Sequence, residues 1–198
     1  MQAEAPDVSA FILAGGKSTR MGTDKAFVSL DGRTLLARML DLARQVTPNV
    51  RIVGDRAKFS PFAPVIEDIF PGRGPLGGIH AALKTSQSGL NIILAVDVPF
   101  VSLALLQYLI TRSRNSPSAA ITVPRSAEGW QPLCAIYRRQ FADAAEKALS
   151  EGHYKIDALF EEVMVQAIGQ EELETAGFAP RIFRNLNTLE ELASASNR

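Results

Sequence analysis

The chain has one cysteine, two histidines and one tryptophan in 198 residues, and each scarcity excludes a class of chemistry. A single thiol, Cys134, forms no internal disulfide, and its apolar surroundings mark it as a small core residue. That usage suits a reducing compartment. His80 lies in a helical pattern and His153 in a loop. Neither has a Cys, His or carboxylate at metal-ligand spacing, so both read as packing or surface residues. No Ser-His-Asp or Cys-His arrangement is visible. Neither sign of charge is in excess: Lys plus Arg and Asp plus Glu both number 21. That balance argues against nucleic acid or an anionic membrane as partner and makes any basic site local. No apolar run approaches the length that crosses a bilayer. Met1–Asp7 is short and acidic, without a signal-peptide pattern. The expectation is a soluble cytoplasmic protein.

Apolar runs of strand type alternate with helical patterns along the chain. Strands are expected at Val8–Leu13, Val50–Val53, Val65–Ile66, Asn91–Val96, Ala119–Val123, Leu133–Tyr137 and Val163–Ile168. Helices are expected at Thr34–Gln45, Leu76–Thr85, Leu103–Ser113, Phe141–Leu149, Ile156–Glu162 and Leu189–Ala193. Arg112–Ser118 reads as a loop. The alternation predicts an α/β fold, a single domain over 1–198 with a mostly parallel central sheet flanked by helices and frayed ends at 1–7 and 194–198. Such sheets bind ligands at the carboxyl ends of their strands.

The most informative stretch leaves the first strand: Leu13-Ala14-Gly15-Gly16-Lys17-Ser18-Thr19-Arg20-Met21-Gly22-Thr23-Asp24-Lys25. Adjacent glycines let the backbone bend and bring its N–H groups near a ligand. Lys17, Arg20 and Lys25 add three cations within nine residues. Backbone donors with clustered cations suit a polyphosphate. The stretch is no P-loop, because Phe11 stands where that motif needs glycine, and adjacent Gly15 and Gly16 break the Rossmann spacing.

Other candidates leave other strands. Asp97 follows a buried strand at the same expected edge, where a carboxylate suits Mg²⁺; Ser102 is the better N-cap for the next helix. Glu67 and Asp68 follow Val65–Ile66. Pro71-Gly72-Arg73-Gly74-Pro75-Leu76-Gly77-Gly78 is a second place where backbone can approach a ligand, with Pro75 at a helix start. Asn185 and Asn187 lie two apart, so an extended segment presents both amides on one face. The residues alone leave open whether they meet a ligand or only precede a helix. Trp130 and Gln131 read equally as pocket wall or as a partly buried anchor.

Taken together, Leu13–Lys25, Ile66-Glu67-Asp68, Gly74-Pro75-Leu76-Gly77-Gly78, Val96-Asp97-Val98-Pro99 and Asn185-Leu186-Asn187-Thr188 resemble the molybdenum cofactor guanylyltransferases, over about residues 8–193. The resemblance implies a Rossmann-like nucleotidyltransferase fold and transfer of GMP from GTP to the terminal phosphate of molybdopterin. By this likeness Leu13, Ala14, Gly15, Gly16, Lys25, Asp68, Gly77 and Gly78 contact nucleotide, and Asp97 binds nucleotide and Mg²⁺. Arg20 and Gly22 shape the phosphate loop, while Asn185 and Asn187 face molybdopterin. Arg20, Lys25 and Asp97 carry catalysis. Lys155 is the nearest match to a later basic residue, and Lys17 has no assigned role. The implied partners are these small molecules, with transient contact to cofactor-biosynthesis or molybdoenzyme proteins. The chain departs at Val53, where some relatives carry Asn, and in a Met21–Lys25 loop one residue shorter than in some members. A molybdopterin cytidylyltransferase, a sugar-1-phosphate nucleotidyltransferase and a non-catalytic nucleotide-binding module are the competing readings. The Ala14-Gly15-Gly16 sequence, where cytidylyltransferases show Ala-Ala-Gly, favours guanine.

Overall fold

The first strand is hydrophobic on both of its faces, and that requires cover on both sides of a sheet. The computed structural model describes residues 7–15 and 24–186. Its elements in order are β1 (Val8–Leu13), β2 (Ser29–Leu30), β3 (Arg33–Thr34), α1 (Leu35–Arg44), β4 (Val50–Val53), α2 (Arg56–Phe59), β5 (Val65–Ile66) and α3 (Pro75–Thr85). They continue with β6 (Leu90–Ala95), α4 (Leu103–Arg114), β7 (Ile121–Ser126), β8 (Gly129–Trp130), β9 (Cys134–Tyr137), α5 (Phe141–Ser150), β10 (Val165–Ile168) and α6 (Gln170–Thr175).

The main sheet has the order β10-β7-β9-β6-β1-β4-β5, with β8 paired to β7 and β2 to β3. β1 runs parallel to β4 and β6, β4 to β5, and β7 to β10. β9 runs against β6 and β7. Side chains alternate across β1 as the period of two requires. Ala10 and Ile12 pack with Leu36 and Met39 of α1 and Leu105 and Leu109 of α4. Phe11 and Leu13 pack on the other face with Ile79 and Leu83 of α3 and Phe141 of α5. A fully buried side chain of this size contributes about 1.5–3 kcal/mol. The helix starts are capped as their sequences suggest: Thr34 Oγ1 accepts from Ala37 N at 3.2 Å, and Ser102 Oγ from Leu105 N at 3.2 Å. No described helix is long and apolar enough to cross a membrane.

The expected strands, and the expected helices before Ile156, are present with ends shifted by at most three residues. β6 begins at Leu90 and takes in Asn91, a polar residue that is fully buried because its amide donates to Tyr137 O at 3.1 Å. Three expectations change. Arg112–Arg114 belongs to α4, not to a loop: Arg112 pairs with Glu172 at 2.9 Å and Arg114 with Asp7, and these pairings extend the helix. Residues Asp157–Glu161 form a 3-10 turn in place of a regular helix. The β2–β3 hairpin and the short α2 and α6 were not anticipated, although Asp31-Gly32, both with positive φ (52° and 76°), is a turn pair favoured in hairpins. The expected helix at Leu189–Ala193 lies outside the described residues.

His80 lies on α3 where α3 packs on α5, and it is 1% exposed. Its ring meets Phe70 edge-on with centroids 5.2 Å apart. Nε2 is 3.8 Å from Glu146 Oε2, too long for a hydrogen bond, and neither ring nitrogen has a partner among the described residues. Burial pushes the His80 pKa below its usual 6.5, against the pull of Glu146 and Asp143, while Lys84 pushes it the same way as burial. A lowered folded pKa means that the unfolded chain binds the proton more readily. The His80 contribution to stability is therefore full above pH 6.5 and is lost as pH falls below 6.5 toward the folded value. Thermal unfolding at about pH 7.5 and about pH 5.5 should show a smaller drop for His80→Leu than for the wild type. Parallel drops would show that His80 does not set this pH dependence.

Candidate active site at the carboxyl edge of the sheet

The last turns of the β1 ladder bring the candidate residues together. Ala14 N donates to Val53 O at 3.0 Å and Gly15 N donates to the same oxygen at 3.2 Å. On the other side, Val96 N donates to Leu13 O at 3.1 Å. β1 is thus bonded to both neighbours up to its end, and Gly15 and Asp97 emerge side by side. The Ala14 and Gly15 N–H groups thus extend the sheet, both bonded to Val53 O.

Asp97 and Lys25 meet directly, Nζ to Oδ2 at 3.0 Å, with side chains 23% (Lys25) and 21% (Asp97) exposed. Lys25 opens a 3-10 turn, Lys25–Phe27, whose N-cap is Asp24: Oδ1 of Asp24 accepts from Ala26 N at 2.9 Å. A cavity of about 230 Å³ opens beside this pair, walled by Leu13, Ala14, Gly15, Asp24, Lys25, Pro75 and Asp97, with apolar cover from Ala95, Val96 and Leu133. Asp24 and Leu133 were not singled out from the sequence. Asp24 is inside the quoted motif, whereas Leu133 reads only as strand core.

The C-terminal segment crosses the same edge. Leu186 N donates to Asp97 O at 3.0 Å, which brings the exposed Asn185 beside the Asp97 backbone. Gly16, Lys17, Arg20, Gly22 and Asn187 lie outside the described residues.

Asp68 follows β5, beyond β4 and on the opposite side of β1 from Asp97. Burial raises its carboxyl pKa. It lies over the start of α3, in contact range of Gly77 and Gly78: Cβ atoms there would stand 3.7 Å from Oδ2 and 3.5 Å from Oδ1. Gly77 and Gly78 are buried, and the cavity meets α3 at Pro75 instead. A Cβ on Gly77 would stand 2.9 Å from Phe70 O, so this glycine lets the preceding loop pack on the helix. Val53 is buried, and its Cγ1 would be 3.2 Å from a Cβ on Gly78; it serves packing and offers no polar group. At the rim, Arg73 donates to Tyr154 OH and its guanidinium lies 4.9 Å over that ring. The glycine-rich loop is thereby joined to the loop that carries Lys155, whose exposed ammonium pairs with Asp157 at 3.2 Å. Trp130 is a partly buried anchor: Phe160 meets it edge-on at 5.1 Å and Arg125 lies over it at 4.9 Å.

Among the described residues, no group of three His, Cys, Asp or Glu side chains could enclose an ion. Asp97 as a single carboxylate fits Mg²⁺, which takes one or two carboxylates and fills its shell with phosphate oxygens and water.

Comparison with known proteins points the same way. A family model described as a MobA-like NTP transferase domain matches residues 10–168. The molybdenum cofactor guanylyltransferase of Desulfosudis oleivorans is 34% identical, over 95% of this chain and 94% of that protein. The enzyme of the same description from Syntrophotalea carbinolica is 32% identical, over 92% and 88%. The crystal structure of molybdopterin-guanine dinucleotide biosynthesis protein A from Archaeoglobus fulgidus superposes with a TM-score of 0.83 at 28% identity, covering 96% of this chain and 97% of that one.

The glycine geometry separates two substitutions. A Cβ on Gly15 would find Gly54 Cα at 3.7 Å and Val53 O at 3.8 Å, ordinary contacts, so Gly15→Ala should leave the melting temperature nearly unchanged. Gly77→Ala should cost about 1–3 kcal/mol, because the backbone of Phe70 must move. Chemical denaturation of the two variants checks the contrast; equal losses would contradict it.

Proposed function

The chain belongs to the MobA-like NTP transferase family, and from that premise we propose that it transfers GMP from GTP to the terminal phosphate of molybdopterin, releasing pyrophosphate. The observation that carries this reading is the Lys25–Asp97 pair on the wall of a cavity at the carboxyl edge. One side chain serves a polyphosphate and the other serves the cation that accompanies it.

In the reaction, an anionic oxygen of the acceptor phosphate bonds to the α-phosphorus of GTP. The bond from that phosphorus to the bridging oxygen of the β-phosphate breaks, and its electron pair leaves with pyrophosphate. The nucleophile is already anionic, so the chain need not supply a strong base. Its work is alignment and charge neutralisation. Asp97 would hold Mg²⁺, which when bound supplies positive charge to the phosphate oxygens. Lys25 turns from Asp97 toward the triphosphate as that charge arrives, and Arg20 assists from the preceding loop. Leu13, Ala14 and Gly15 form the nucleotide wall. Asp68, Gly77 and Gly78 support the glycine-rich loop that faces it. Asn185, held next to Asp97 by the Leu186 hydrogen bond, is assigned to the molybdopterin side, and Asn187, outside the described residues, is assigned to it by the resemblance.

Guanine is favoured by the Ala14-Gly15-Gly16 sequence, where cytidylyltransferases show Ala-Ala-Gly. A site built for one base edge leaves buried polar groups unpaired with another base. This reading is of a cytoplasmic enzyme.

Pyrophosphate release from GTP, molybdopterin and Mg²⁺ tests this reading. Asp97→Asn should fold normally and lose at least about a hundredfold in turnover, because a neutral amide is a poor Mg²⁺ ligand. Turnover near wild type in that variant, or faster use of CTP by the unmodified protein, would contradict it.

A further inference from the structure

The short helix α2 and Gly54 before it meet the two stems, Gly15 and Asp24, of the segment that carries Lys17 and Arg20. At the first stem, Gly54 lies just before the helix cap. A Cβ there would stand 3.4 Å from Gly15 N and 3.0 Å from the Phe59 ring, so Gly54 lets the two loops close on each other. At the second stem, Lys58 of α2 pairs with Asp24. The Lys58 ammonium also lies over the rings of Phe27 and Phe59, 5.6 and 5.3 Å from their centroids, and those rings stack at 5.9 Å. Cation–π attraction therefore adds to the ion pair and fixes where the ammonium sits.

Asp24 is the reason this matters. It lines the cavity next to Lys25, and one of its oxygens is bound to Ala26 N. Unbalanced, it would set a negative charge against the polyphosphate and compete with Asp97 for Lys25. Lys58 reaches Asp24 from α2 and does not itself line the cavity.

We propose that Lys58 is a positioning residue for the nucleotide: it neutralises Asp24 and holds that carboxylate at the start of the 3-10 turn, so that Lys25 serves Asp97 and the triphosphate. This rests on the reading that GTP occupies the cavity beside Lys25. No sequence motif marks Lys58. Its role comes from the meeting of α2 with Asp24, Phe27 and Phe59.

The test is equilibrium binding of GTP with Mg²⁺, by calorimetry, to the full chain, with thermal unfolding measured in parallel. Lys58→Met keeps the apolar stem and drops the charge. It should weaken GTP binding about tenfold, more at low salt. Lys58→Arg keeps the charge and the stacking, and should bind within about threefold of wild type. Asp24→Asn removes the opposing charge while keeping a good N-cap residue. In the Asp24→Asn background, Lys58→Met should change GTP affinity by less than about twofold. Lys58→Gln, which keeps a polar head without charge, takes the place of Lys58→Met if the latter unfolds. Lys58→Met binding as tightly as wild type overturns the proposal. So does an equal loss in both backgrounds, which is the mark of a purely structural role. A wild-type chain that binds no GTP overturns the nucleotide reading as well, whereas wild-type binding with a flat cycle overturns the Lys58 proposal alone.

Discussion

The candidate site depends on β1 being hydrogen-bonded on both sides to its last residue. Leu13 O accepts from Val96 N, and Val53 O accepts from both Ala14 N and Gly15 N. These bonds bring the ends of three parallel strands to one level. Burial drives the arrangement, because Phe11 and Ile12 are fully covered on opposite faces and the strand can only sit in the middle of a two-sided sheet. With the strand ends level, Asp97 comes out next to Gly15, and the chain that returns at Asp24 places Lys25 on Asp97. The chemistry is therefore a consequence of how the sheet closes.

The two-sided packing also explains what was legible in the sequence. Val8–Leu13 and Val50–Val53 are apolar runs broken only by Ser9 and by the exposed Arg51, and their strands begin and end where those runs do. Leu35, Leu36, Met39 and Leu40 repeat at helical spacing and form the buried face of α1. Asp97 was legible because a carboxylate directly after a buried strand has few other places to be. Less legible were features made by contacts distant in sequence. α4 runs on to Arg114 because Asp7 and Glu172 pair with its last turn. α2 has only four residues, too few for a period to show. Gly77 and Gly78 read as ligand-facing glycines, and the protein's own packing also requires them: a side chain on Gly77 would press on the Phe70 carbonyl and one on Gly78 on Val53. Spacing alone does not tell a glycine that makes room for ligand from one that makes room for the protein.

The edge is also asymmetric. On the β4–β5 side, Asp68 sits over Gly77 and Gly78 at the start of α3 and is raised in pKa by burial. On the β6 side, Asp97 is paired with a cation and touched by the C-terminal segment through Leu186. Beyond both, the Arg73–Tyr154 contact bridges the glycine-rich loop and the α5 exit loop across 81 residues of sequence.

The most direct test of this account is a crystal structure with a non-hydrolysable GTP analogue and Mn²⁺ in place of Mg²⁺. The account predicts an anomalous peak on the Asp97 carboxylate, the triphosphate beside it, and the Lys25 ammonium turned from Asp97 to a phosphate oxygen. A nucleotide bound away from the β1–β6 edge, or a metal held without Asp97, would contradict it.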